Sequence, residues 1–256
     1  MAAGQPTIDA PTIDALGQFK LHTVLGPIGA SVNFTQSNLL MVVAGALILA
    51  LLYFGARPQA IVPGRLQAAA ELSYDFIYSM VSEQIGHEGR RFFPFVFTLF
   101  FFILFGNLLG LLPFSFTYTS HIAVTASLAI LVIVLVTVVS LSIHGLHFFS
   151  YFFPKGAPVL LAPIIVPVEI ISYLSRPVSL SIRLFANMVA GHVMFEVFAT
   201  FMVMMAGAGA IGYLGAVGPL ALNVVLMGFE LLVTALQAYV FAVLTCIYLH
   251  DAVHLH

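Results

Sequence analysis

The chain has 256 residues, of which 61% are apolar and only 7% charged, with a formal net charge of −2. Ordinary soluble domains carry about 25% charged residues, so this composition describes a polytopic membrane protein with no room for a separate soluble domain. The slight negative charge argues against nucleic acid as a partner, and the single Cys246 excludes a disulfide framework or a cysteine-built metal cluster.

Residues 1–35 form a polar leader holding a short tandem, Pro-Thr-Ile-Asp-Ala at 6–10 and again at 11–15. It has no basic segment followed by an apolar run, so no cleavable signal peptide is expected, and the duplication is too short to be an architectural repeat. A first span covers 36–56; Arg57, Pro58, Pro63 and Arg65 stop it. A different kind of helix follows over 64–88. Leu66, Ala69, Leu72, Phe76, Ile77, Met80, Val81 and Ile85 recur at helical spacing, with Glu71, Asp75 and Glu83 interleaved. That amphipathic pattern predicts a helix lying in the interface plane, its acidic groups solvated.

Two clear spans come next: 92–113, rich in Phe and carrying Gly106-Asn107, and 121–143, rich in Ala, Val, Ile and Leu. After a polar-aromatic loop at 144–158, the apolar segment 160–206 is too long for one perpendicular crossing, which takes about 20 residues. The glycine-rich stretch 207–219 reads as a turn, and 219–250 as a final, equally overlong helix. The predicted fold is therefore one all-α membrane domain. It has five membrane-crossing helices and one in-plane amphipathic helix, with the last two helices a long tilted hairpin. Arg57, Arg65, Arg90 and Arg91 lie between the first span and Phe92, whereas the leader has only Lys20. The positive-inside rule then puts the N-terminus outside, and the Lys155 loop and the His250-Asp251 tail inside.

The chemistry concentrates in the hairpin. From Ala162 to Ala206 the only charged residues are Glu169, Arg176, Arg183 and Glu196. An arginine cannot shed its proton, and one at membrane depth costs roughly 2.5–3.5 kcal/mol, so its default reading is a functional site on an ion or substrate path. At about 100° per residue, Glu169, Ser172, Arg176, Ser179, Arg183 and Asn187 make one polar stripe. His192 and Glu196 fall on the opposite face. In the last helix Asn223, Glu230, Thr234 and Gln237 share a face. Folding the hairpin brings His192, Glu196, Glu230 and Asn223 into its turn-proximal half, with Arg183 and Gln237 further from the turn. Titratable Glu and His facing each other at depth suit a proton entry path, whereas Arg183 holds a fixed charge. It repels a hopping proton and lowers the pKa of any carboxylate that comes close. No partner for it stands out in the chain, which points to a carboxylate on another subunit.

The run Arg176-Pro-Val-Ser-Leu-Ser-Ile-Arg183-Leu-Phe-Ala-Asn187-Met-Val-Ala-Gly-His192 resembles the signature helix of the F-type ATP synthase subunit a family. Gly106-Asn-Leu-Leu-Gly-Leu-Leu-Pro113 and Leu236-Gln-Ala-Tyr-Val-Phe241 extend the resemblance over nearly the whole chain. The resemblance implies a proton-translocating stator packed against a rotating ring of c subunits and joined by b-type peripheral-stalk subunits. Arg183 matches the arginine between two offset half-channels. Glu169, Ser172 and Ser179 match the inner half-channel, and Asn187, His192, Glu230 and Gln237 the outer one or the arginine's surroundings. Arg176, beside Pro177, fits interfacial anchoring as well as a channel role, and Glu196 fits a partner of His192. The acidic and histidine positions at 192 and 230 are exchanged relative to the best-known bacterial pattern. This exchange resembles mitochondrial and alphaproteobacterial members, and the surrounding sequence favours a bacterial inner membrane. A sodium-driven member of the same family is the nearest alternative. No cofactor and no metal are expected: His144, His147, His250, His254 and His256 lie in loops or the tail, and there is no Gly-rich Lys-Ser/Thr phosphate loop.

Overall fold

The structure, a computed structural model, describes residues 23–25, 34–56, 64–112, 117–145, 148, 153, 161–207 and 209–254. The tandem repeat, Lys20, Arg57, Pro58, Pro63, Pro113, His147, Lys155 and His256 lie outside the described residues. The described chain is helical apart from a small antiparallel pair, β1 (Thr23–Leu25) with β2 (Phe34–Thr35), in which Thr23 faces Thr35. Six helices follow: α1 (Gln36–Ala56), α2 (Arg65–Ile85), α3 (Phe93–Gly110), α4 (Ile122–His144), α5 (Ala162–Ala206) and α6 (Ala210–Val253). Short 3₁₀ turns at His87–Phe92 and Tyr118–Ser120 lead into α3 and α4.

Five helices are long and apolar enough to cross a membrane, and α2 is the one that is not. This is the fold class the sequence implies. The reason is clearest in α4, where Val, Ile and Thr dominate. Those residues favour strands in water, but in lipid every backbone N–H and C=O must be satisfied within its own segment, and a helix does that.

In α2 protein covers part of the apolar face. Ile77, Met80, Val81 and Ile85 are buried, together with Gln67, but Leu66 and Leu72 stay 68% and 74% exposed. Glu71, Asp75 and Glu83 are exposed beside them. The C-terminal half of α2 packs on the core and its first half approaches the end of α1, where Gly55 leaves room for Ala70; the remaining surface offers both apolar and acidic groups outward, as an interfacial helix does. The core lies between that half of α2, the phenylalanines of α3 (Phe97, Phe100, Phe101), one edge of α4, and the α6 run Ala238, Phe241, Ala242, Cys246, Leu249. Ala238 and Ala242 are completely buried, and such small side chains let membrane helices approach closely.

α5 and α6 have 45 and 44 residues, about 68 and 66 Å of helix at 1.5 Å per residue. That is more than twice the roughly 30 Å hydrocarbon thickness, so a straight pair fits a bilayer only when strongly inclined. The expected turn over 207–219 is corrected. The connection is confined to 207–209, closed by Gly209 at φ +88°, and α6 begins at Ala210 and runs through Pro219. Glycine and proline break helices in water, yet both are tolerated in membrane helices, where breaking the helix would strand more backbone groups than the proline does. Pro167 and Pro177 are likewise accommodated inside α5.

Candidate functional site

The α5 stripe straddles the edge of the hairpin. Ser172, Ser179 and Arg183 point outward, exposed; Glu169 is half-buried, and Arg176 and Asn187 sit half-buried along the seam with α6. Asn187, one turn beyond Arg183 on α5, donates its Nδ2 to Gln237 Oε1 at 2.8 Å. That bond fixes Gln237, 96% buried, with its amide nitrogen unpartnered among the described residues. Arg183 itself makes no ion pair with any described residue, although its charge is permanent.

Arg176 behaves differently. Its guanidinium meets Asp251 Oδ2 at 3.3 Å and lies 5.7 and 5.1 Å from the ring centres of Tyr173 and Tyr248. An arginine held between two aromatic faces and a carboxylate has little freedom to sweep. It joins the first third of α5 to the last turn of α6, on the side of the hairpin away from the turn. His144 Nε2 reaches Val253 O at 3.2 Å nearby, and the rings of His250 and His254 stack 4.7 Å apart. Among the described residues no three His, Cys, Asp or Glu side chains gather as a metal would need.

Glu230 is 6% exposed. Its carboxylate lies directly on Gly191, so that a side chain at 191 would occupy the same space. Glu230, Asn187, Ala190, Gly191, Met194 and Phe229 line a cleft of about 340 Å³ between α5 and α6. The exposed Ala190 and Met194 continue the Arg183 face, so this cleft opens on the same side of α5 as the arginine. His192, the next residue, turns away from it toward the connection between α3 and α4, where its Nε2 lies 2.6 Å from Thr117 Oγ1. The expectation of an imidazole and a carboxylate facing each other therefore becomes an arrangement around a single residue step, Glu230 at Gly191 and His192 at Thr117. Glu196 is half-buried one turn further on, its carbonyl accepting from Thr200 Oγ1. Asn223 Nδ2 reaches Phe195 O at 3.5 Å.

The segment 117–120 was not legible as part of this site. All four of its residues are buried. Thr119 Oγ1 donates to Asn107 Oδ1 at 2.6 Å, and Tyr118 OH donates to Phe102 O at 2.6 Å. Burial pushes the Tyr118 phenol above its ordinary range, which keeps it a donor. Gly106 and Gly110 make this insertion possible: a Cβ on the first would strike the Tyr118 ring, and on the second Thr117. The signal available in the sequence was the hydroxyl run Thr117-Tyr-Thr-Ser120, which needs partners wherever it is buried.

The profile of the family described as ATP synthase A chain matches residues 38–250. The chain is 72% identical over 247 residues to a Granulibacter bethesdensis protein called ATP synthase subunit a, covering 96% of this chain and 98% of that one. It is 66% identical over 253 residues to the protein of that name from Gluconacetobacter diazotrophicus, covering 99% of each. A Rhodospirillum rubrum protein of the same name is 49% identical over 228 residues, 89% of this chain and 92% of its own.

Proposed function

The chain belongs to the ATP synthase A chain family, and from that premise we propose that it is the proton-conducting stator of a bacterial ATP synthase. It is embedded in the plasma membrane with its N-terminus outside, and it works with the c-subunit ring and b-type stalk subunits. ATP chemistry takes place on the partner subunits. The observation that carries this reading is the geometry of Arg183. It is a permanent cation on an exposed helix face whose other exposed polar groups, Ser172 and Ser179, are uncharged, and it has no ion-pair partner among the described residues. A charge so placed is useful to a carboxylate that arrives and leaves.

The steps follow from the residues. A proton from outside reaches the cleft through His192 and Glu230, groups that both take up and give up protons, with Glu196 beside the entry. Asn187 and Gln237 lie between the cleft and Arg183. A ring carboxylate at the cleft takes the proton and turns away neutral, because its charged form would be stranded in lipid. A protonated carboxyl arriving from the other side meets Arg183. An opposite charge within about 4–6 Å lowers a carboxyl pKa by about 1–3 units, so the proton leaves. It departs past Ser172, Ser179, Glu169 and Arg176 toward the inner surface. The fixed charge of Arg183 keeps the two paths from joining, because a proton crossing directly is repelled.

Replacing Arg183 with alanine tests this in the reconstituted complex. The expected result is loss of ATP-driven proton pumping with a raised passive leak. Full coupled pumping by Arg183→Ala refutes the mechanism.

A further inference from the structure

Thr234 stands on the buried face of α6, one turn after Glu230 and one turn before Gln237, with no exposed surface. Other helical threonines in the chain give their hydroxyls to a carbonyl one turn back: Thr98 to Pro94, Thr137 to Ile133, Thr200 to Glu196 and Thr245 to Phe241. Thr234 does not. Its Oγ1 has no partner among the described residues, and the same holds for Glu230 Oε1, Gln237 Nε2 and Asn223 Oδ1. Four orphaned polar atoms thus follow one another along one face of a single helix. Buried polar groups without protein partners are places where proteins hold ordered water. The chemistry along the row also alternates. The carboxylate oxygen accepts, the hydroxyl accepts and donates, and the Gln237 nitrogen donates because its oxygen is already engaged by Asn187.

We infer that Thr234 is a positioning residue: its hydroxyl holds and orients the water through which a proton passes between Glu230 and the Asn187–Gln237 pair. The inference rests on the reading of Glu230 as an outer-side proton group. Along the helix axis Glu230 to Thr234 is about 6 Å, and Thr234 to Gln237 about 4.5 Å. A water making two hydrogen bonds of about 2.8 Å links groups about 4.5–5.5 Å apart, which matches the shorter rise and comes close to the longer one. The water accepts the proton of the Glu230 carboxyl and releases another of its protons to the ring carboxylate at the cleft, so it ends as it began; the hydroxyl keeps its own proton throughout, and the Gln237 amide donates to the water without taking the proton. If Thr234 served packing alone, valine would suit the position better, because it has nearly the same shape and leaves no polar atom unsatisfied.

The test compares Thr234→Val, Thr234→Ser and Glu230→Gln in the complete complex reconstituted in liposomes, reading ATP-driven proton pumping per assembled complex. Thr234→Val is expected to pump about tenfold more slowly, the ratio one net hydrogen bond corresponds to. Thr234→Ser, which restores the hydroxyl, should stay within about twofold of the parent. Glu230→Gln should be slow. Slow pumping by Glu230→Gln beside parental pumping by Thr234→Val overturns the role of Thr234 alone. Parental rates in both overturn the reading of Glu230 as well. If the valine variant does not assemble, Thr234→Ala takes its place, and failure of both to assemble makes Thr234 a packing residue and overturns the inference.

Discussion

Gly191→Ala separates packing from proton transfer more sharply than deleting a charged group does. The added Cβ would sit more than about 1 Å inside van der Waals contact with the Glu230 carboxylate carbon and both its oxygens. Its three nearest neighbours all belong to the flexible end of Glu230, which must swing aside. Forcing a side chain about 30° from its rotamer costs of order 0.5–1.5 kcal/mol. Alanine returns close to 1 kcal/mol of helix propensity over glycine, so the complex should assemble at near-normal levels. Proton transfer is far less forgiving, since a displacement of about 1 Å can cost on the order of 100-fold. The expected outcome in inverted membrane vesicles is normal complex content with pumping reduced at least tenfold. Glu230→Asp shortens the carboxylate by one methylene and makes room for the new methyl. The double variant Gly191→Ala, Glu230→Asp should therefore pump faster than Gly191→Ala alone. Parental pumping by Gly191→Ala with normal assembly refutes the link between the carboxylate's position and transport.

Two further outcomes follow from the segment at 117–120. Thr117→Val removes the 2.6 Å partner of His192 at a cost of about 1–3 kcal/mol for a buried group. It should slow pumping several-fold, while Thr117→Ser does not; indistinguishable rates for all three proteins refute the positioning of His192 by Thr117. Gly106→Ala drives a methyl into the rigid, fully buried Tyr118 ring. Overpacking of this kind costs about 1–3 kcal/mol or more, seen as reduced accumulation or earlier thermal inactivation of the solubilised complex. Normal accumulation and heat resistance refute it.

The polar stripe of α5 and the face of α6 were readable because a polar residue in a membrane helix is conspicuous and helical spacing alone assigns its side. Contacts across the fold were not readable. Thr117 lies 75 residues from His192, and Arg176 lies 75 from Asp251; no local pattern links such pairs. The packing role of the glycines was unreadable for another reason. Gly106, Gly110 and Gly191 serve by what they lack, and their meaning appears only once the neighbour filling the gap is known. The stretch 207–219 misled because the helix-breaking habit of glycine and proline is learned in water, where a broken helix can be solvated. Which apolar residues of α2 protein covers was not readable, because an amphipathic period shows that a face is apolar and not what lies against it.

The short connection at 207–209 closes one end of the α5–α6 hairpin, and the Arg176–Asp251 pair ties the last turn of α6 to α5 far from that connection. Two slender rods laid side by side slide past each other under a sideways load, and each then bends on its own. Pinned at two distant points they must shear their common seam before they can bend, and so act as one thicker beam. A long loop at the turn would have freed that sliding. For an element proposed to withstand the drag of a turning neighbour, a three-residue join supplies mechanical stiffness that no single helix of this length possesses.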